Sequence, residues 1–129
     1  MSMKTVLIVD DSETMRTLLR GILEEHGMTV TGEAENGKAG VEKYKELLPD
    51  IVFMDIMMEE MGGMEALKRI ISHNPDAVVI MSSSVGGQSF VADEAVKEGA
   101  RAVMVKPPNA QSVVDAIGRA MTARRGSID

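Results

Sequence analysis

Asp10 and Asp11 close one short apolar run, Val6-Leu7-Ile8-Val9, and Asp55 closes another, Ile51-Val52-Phe53-Met54. Runs of this length and composition read as buried strands, so the acids fall at the carboxyl ends of two strands. In an open parallel sheet, ligands collect in the crevice outside those ends, where the strand order reverses. Three carboxylates gathered there repel one another unless something positive sits among them. Oxygen-only donors suit a hard cation such as Mg²⁺, which takes one or two carboxylates together with waters and phosphate oxygens. Lys106 ends a further short run, Ala102-Val103-Met104-Val105, and Pro107 directly after it fixes the loop that aims the ammonium. A carboxylate nucleophile, a metal site and a lysine are the parts of phosphoryl transfer, in which positive charge neutralises the equatorial oxygens.

Each of these residues also has a plainer reading. Asp10 and Asp11 precede a helical pattern and could serve as caps, worth on the order of 1 kcal/mol. Capping needs one acid, however, not two together with Asp55. A charge idling at Asp55 sits badly between Ile-Val-Phe-Met and Ile56-Met57-Met58. The twelve methionines, four of them at Met57, Met58, Met61 and Met64, could suggest a soft-metal site but are better read as core filler. His26 and His73 fall at helix ends, where they compensate the dipole or face solvent.

The elements that must position the acids follow from pattern. Short apolar runs alternate with amphipathic segments five times, which predicts an α/β fold of βα units around a parallel sheet. The first strand spans about Lys4 to Val9, and its helix carries Met15, Leu18, Leu19, Ile22 and Leu23, with Gly27 as a left-handed cap. A weaker strand, Met28 to Ala34, leads to Asn36-Gly37 and a helix carrying Val41, Tyr44 and Leu48, stopped by Pro49. After the third strand, Met64, Leu67, Ile70 and Ile71 mark a helix broken at Asn74-Pro75. The fourth strand is read at Ala77 to Met81, its helix at Ser89 to Glu98 with Gly99 as the stop, and the fifth strand at Ala102 to Val105. Val113, Val114, Ile117 and Met121 then line a last helix capped by Asn109.

Length and charge narrow the function classes. A chain of 129 residues is the size of one domain. A formal charge of -6 and a pI near 4.9 argue against a nucleic-acid surface, because phosphate binding relies on clustered Lys and Arg. There is no cysteine, hence no disulfide framework and no thiolate nucleophile. Neither a signal peptide nor a membrane-spanning run is visible, so a cytoplasmic protein with no membrane partner is expected.

Val9-Asp10-Asp11-Ser12, Asp55-Ile56-Met57-Met58 and Val105-Lys106-Pro107, in this order and on the first, third and fifth strands, resemble a two-component response-regulator receiver domain. Asp11-Ser12, Met15-Arg16 and Gly87-Gln88 resemble the single-domain chemotaxis type in particular. The resemblance implies a receiver domain over residues 1–123, with 124–129 as a mobile tail. It also implies a doubly wound, flavodoxin-like five-stranded sheet of order 2-1-3-4-5 with helices on both faces; that order comes with the resemblance. Asp55 would accept a phosphoryl group from a histidine kinase. Asp11 would touch Mg²⁺ directly, Asp10 through water, Asp55 as a ligand, and Met57 through its backbone carbonyl. Lys106 would bind the phosphoryl group. The active form, a monomer, would engage a motility or motor-switch component and could need a separate phosphatase. It would be a switch rather than an enzyme, at most hydrolysing its own aspartyl phosphate slowly.

The hydroxyl that senses phosphorylation is one of Ser82, Ser83 and Ser84. Counting forward from Asp55 or Pro75 favours Ser83; counting back from Lys106 favours Ser84. Ser83 is preferred, with the extra residue placed at Gly86-Gly87, where a loop accepts insertions best. Departures from the family pattern are informative. Glu59 replaces the usual proline and Gly62 the usual Asp or Asn, which predicts a looser, more acidic loop after Asp55. Val103 stands where an aromatic residue usually rotates, and a β-branched side chain has too few rotamers to do so. Met57 and Val85 occupy the places best suited to hold a hydrolytic water and cannot orient one, so a long-lived phosphorylated form is expected. The rivals are a phosphorelay regulator outside chemotaxis, a haloacid-dehalogenase-type phosphatase, which expects Asp-x-Asp where Asp10 is followed by Asp11-Ser12, and a flavodoxin-like FMN carrier, which lacks its phosphate loop here.

Overall fold

Alternation along each strand decides what the sheet shows to its two faces, because successive side chains point to opposite sides. The computed structural model describes residues 4–84 and 89–122, with the side chain of Ser89 excepted. Five strands, β1 (Thr5–Val9), β2 (Thr29–Ala34), β3 (Ile51–Asp55), β4 (Val79–Ser83) and β5 (Ala102–Val105), pair in parallel in the order β2-β1-β3-β4-β5. The helices are α1 (Glu13–Glu25), α2 (Gly37–Leu47), α3 (Gly63–His73), α4 (Ser89–Lys97) and α5 (Ala110–Thr122). Fold class and strand order are those expected from the sequence.

One core lies between the sheet and α2, α3 and α4. Leu7, Val9, Val52, Met54, Val79 and Met81 meet Val41, Tyr44, Leu67, Ile70 and Ala95 there. The residues in between, Val6, Ile8, Ile51, Phe53, Ile80 and Met104, build a second core against Leu19 and Leu23 of α1 and Val113, Ala116 and Ala120 of α5. Continuing the second alternation by one step beyond the apolar residues reaches Asp10, Asp55, Ser82 and Lys106, so the period of the strands itself sends the acids and the lysine to one face at one end.

Local chemistry sets the element ends. Ser12 caps α1 by accepting from the Met15 N–H at 3.2 Å, and Asn36 caps α2 by accepting from Ala39 at 2.8 Å. Gly27 takes φ +82 after α1, the conformation expected of it. Asn109 accepts from Ser112 N–H at 2.8 Å ahead of α5.

Three local readings are corrected. The fourth strand runs from Val79 to Ser83, later than Ala77–Met81, because Ser82 and Ser83 still pair with Met104 and Val105. Leu48 is not part of the α2 core face: it is the left-handed cap at φ 47 and is 61% exposed. Leu18, Val114 and Met121 also point outward, and α5 buries Ala116 and Ala120 instead, small residues that let the helix approach the sheet. The expectations for Val85, Gly86-Gly87, Gln88 and residues 124–129 fall outside the described residues. No helix among the described residues is long and apolar enough to cross a membrane.

Candidate functional site

Strand order places the site. The chain steps from β1 outward to β2, then returns to β3 on the other side of β1, so the carboxyl ends of β1 and β3 flank the switch point of the sheet. Asp10 follows β1 and Asp55 ends β3. Both are buried, at 5% and 4% exposure, while Asp11 at the start of the turn is exposed. Carboxylate oxygens of Asp10, Asp11 and Asp55 lie within 4.8 Å of one another, a separation one small cation can span. Lys106, one residue past β5, reaches past the end of β4 to meet them: its Nζ is 2.9 Å from Asp10 Oδ2 and 3.3 Å from Asp55 Oδ2. The Lys106–Pro107 peptide is cis.

The electrostatics are those of a site short of positive charge. Burial raises the Asp55 pKa, the Asp10 carboxylate raises it further, and Lys106 and the Met57 N–H only partly oppose them. Burial works against the Lys106 charge, yet the hydrogen bond and charge of Asp10, with those of Asp55, outweigh it and lift the ammonium above its ordinary value. Three carboxylates against one ammonium leave the cluster a formal charge of -2, the complement of a divalent ion. The donors are oxygens throughout, which suits Mg²⁺ and not a soft metal.

Asp10 is fixed on every side. Its N–H donates to Ala34 O at 3.0 Å, its Oδ1 accepts from Ser12 N–H at 2.9 Å, and its carbonyl accepts from Arg16 Nη1 at 2.7 Å. Asp55 Oδ1 faces the Met57 N–H at 3.4 Å, and the Met57 side chain is 68% exposed. The Ile56 N–H donates to Ser82 O, and the Lys106 N–H to Ser83 O, which ties the ends of β3, β4 and β5 together. Ser82 pairs with Asp55 in register, Ser83 is buried beside Val105, and Ser84 is exposed. Val103 is packed against the core on the α4 side.

The loop after Asp55 is tied to the start of α2. Glu60 and Met61 take left-handed φ values of 51 and 74, and their carbonyls accept from Lys38 and Gly37 at the start of α2. Gly62 precedes α3 without a side-chain cap, the cost of losing the usual Asp or Asn. What sequence reasoning missed was Arg16, noticed as part of a motif and given no task; a cation four residues after a helix cap, on the side of the strand ends, was the available signal.

The family described as "Response regulator receiver domain" matches residues 6–118 of this chain. The chain belongs to that family. This receiver domain is 49% identical over 116 residues to the chemotaxis protein CheY of Thermotoga maritima, covering 90% of the chain and 96% of the relative. The CheY of Bacillus subtilis is 47% identical over 116 residues, with the same coverage of 90% and 96%. Among solved structures, a CheX-CheY-BeF3-Mg²⁺ complex from Borrelia burgdorferi contains a chain that is 31% identical, with a TM-score of 0.87 over 93% of this chain and 90% of that one. The receiver domain is thus closely related to CheY, and its function is phosphorylation-dependent two-component signalling. The dehalogenase and flavodoxin readings fall away.

Proposed function

We propose that Asp55 is the phosphoacceptor and that Asp10, Asp11, Asp55 and the Met57 carbonyl hold Mg²⁺. The observation that carries this reading is the meeting of three carboxylates and Lys106 at the switch point, with Lys106 Nζ bridging Asp10 and Asp55. Asp55 is the nucleophile: a carboxylate oxygen forms the new O–P bond while the P–N bond to the kinase histidine breaks and the imidazole leaves with its electron pair. Lys106 is already charged and hydrogen-bonded in the crevice, so it stands ready to follow the transferred oxygens without a proton step. Bound Mg²⁺ supplies additional positive charge to the equatorial oxygens. Ser83, at the end of β4, is the hydroxyl that senses the modification. The Borrelia burgdorferi relative, solved with BeF3 and Mg²⁺, supports the assignment.

Phosphorylation acts by population shift: stabilising the active form by a few kcal/mol reverses the ratio of two conformers. The domain at residues 1–123 is a monomeric cytoplasmic switch that takes its phosphoryl group from a chemotaxis-type histidine kinase and hands the signal to a motility or motor-switch component. It binds no nucleic acid. An Asp55→Asn variant incubated with acetyl phosphate and Mg²⁺ gains no phosphoryl mass, and the parent gains none in EDTA. Undiminished modification in either experiment refutes the proposal.

The exposed thioether of Met57 cannot orient a water strongly, and neither can Val85, so hydrolysis at Asp55 lacks positioning. Replacing Met57 with Asn and Val85 with Glu accelerates loss of the phosphoryl group on the order of tenfold or more, as positioned proton-accepting groups typically do. The decay is followed by intact mass after the donor is removed. A parent that decays as fast as the double variant contradicts this reading of Met57 and Val85.

A further inference from the structure

We infer that Arg16 is a positioning residue for the metal site: it clamps the Asp10–Asp11 peptide between α1 and β2 and thereby sets the direction in which Asp11 presents its carboxylate. The inference rests on the proposed metal-binding role of the acidic cluster. Arg16 uses two edges of its guanidinium for two different jobs. Nη1 donates to Asp10 O at 2.7 Å, and Nε donates to Glu33 Oε1 at 2.9 Å. Glu33 lies on β2, next to Ala34, whose carbonyl accepts the Asp10 N–H at 3.0 Å. Arg20, one helical turn on, holds the other oxygen of Glu33 at 2.7 Å and is itself paired with Glu24 at 3.1 Å. Glu33 is held ionised: burial works against its charge, but the hydrogen bonds and charges of Arg20 and Arg16 outweigh that and keep its pKa below the usual carboxylate range.

The geometry follows from the planarity of the peptide. The Asp10 carbonyl that Arg16 holds shares a rigid plane with the Asp11 N–H, and the Asp10 N–H and side chain are bonded as well, so the clamp restrains the backbone from which Asp11 leaves. Asp11, the exposed member of the cluster, then leaves a fixed backbone. A side chain positioned this way spends less conformational entropy on binding than one on a loose turn. Arg16 is only 15% exposed, so its two hydrogen bonds compete little with water. Lysine could keep the charge but not the fork that spans Asp10 O and Glu33 together.

Charge alone predicts the opposite outcome, which makes the inference testable. A cation near a cation-binding site repels its ligand, so neutralising Arg16 would tighten Mg²⁺ binding if Arg16 acted through its field. As a clamp, its loss weakens binding. The experiment is a titration of the full chain with MgCl₂, followed by the amide shifts of Asp11 and Ser12, in the parent, Arg16→Gln and Arg16→Lys, with amide hydrogen exchange at the same residues in metal-free buffer. The clamp predicts an Mg²⁺ dissociation constant raised about tenfold in both variants, the lower end of the cost of losing a partner that orients a metal ligand. It also predicts faster exchange at Asp11 and Ser12 while exchange in β3 and β4 stays at the parent rate. Tighter or unchanged binding in Arg16→Gln, or parent-like affinity in Arg16→Lys, overturns it. Should Arg16→Gln fail to fold, Arg16→Lys decides alone. A parent that shows no saturable shift at Asp11 or Ser12 overturns the metal site itself, a failure distinct from that of the clamp.

Discussion

Replacing Lys106 with methionine lowers the stability of the metal-free protein at neutral pH by about 3 kcal/mol, the cost expected for stripping the partner from buried charges. The Asp10 and Asp55 side chains are only 8% and 5% exposed, and Lys106 Nζ is the ammonium that touches both. The pH dependence carries a signature. Because burial and the Asp10 charge raise the Asp55 pKa above its unfolded value, protonating Asp55 favours the folded state. Its contribution is fully present below the ordinary Asp value of about 3.9 and is lost as pH rises through the raised folded pKa. In Lys106→Met the opposing cation is gone, the raise is larger, and the window of loss extends to higher pH. Urea unfolding in EDTA across the acid-to-neutral range reads this directly: the variant approaches the parent on acidification and falls away toward neutrality. Saturating Mg²⁺ offsets part of the loss by binding only the native state. A variant that stays within about 0.5 kcal/mol of the parent at every pH, the range of an ordinary surface change, contradicts the electrostatic account of the site.

The second large effect is at Gly63. Its backbone packs against the end of β3 so closely that a Cβ would lie 2.0 Å from Asp55 O and 2.8 Å from Ile56 Cα, both backbone atoms that cannot turn aside. Its N–H donates to Ile56 O at 2.9 Å, so moving away breaks that bond as well. Gly63→Ala therefore costs about 3 kcal/mol, the upper end for overpacking a rigid site, and displaces Asp55 relative to Lys106. Gly62, one residue earlier, behaves oppositely. A Cβ there meets Ile56 O at 3.6 Å, an ordinary contact, and its φ of -65 suits any residue. Since α3 begins without a side-chain cap, Gly62→Asn gains a few tenths of a kcal/mol. Thermal unfolding of the two variants checks the pair. Effects of the same sign would contradict the packing described.

These two glycines show where the sequence was readable and where it was not. Strand ends bearing Asp10, Asp11, Asp55 and Lys106 were legible because strand periodicity and parallel topology are local patterns with a fixed geometric outcome. Gly62 and Gly63 look alike in the sequence, and only the approach of Asp55 O and Ile56 Cα distinguishes a glycine that must stay from one that is tolerated. The Arg16–Glu33 pair was hidden for a similar reason: it joins α1 to β2 across 17 positions, and nothing in either segment announces its partner. Leu48 misled in the other direction, an apolar residue on the helical period that the chain uses as a left-handed cap. Ser83 against Ser84 was ambiguous by counting. Burial now separates Ser84, which is exposed, from Ser82 and Ser83.

A phosphoryl group on Asp55 can be located chemically. Borohydride reduces an acyl phosphate to an alcohol and leaves free carboxylates alone, so the modified aspartate becomes homoserine. After treatment with acetyl phosphate and Mg²⁺, reduction and tryptic digestion, the peptide from Glu46 to Lys68 contains just two aspartates, Asp50 and Asp55, which fragment ions separate. Asp50 is engaged by the Thr5 N–H at 2.8 Å at the opposite end of the sheet and serves as an internal control. Homoserine at Asp55, dependent on Mg²⁺, is the predicted result; homoserine at Asp10 or Asp11 with Asp55 intact would contradict it.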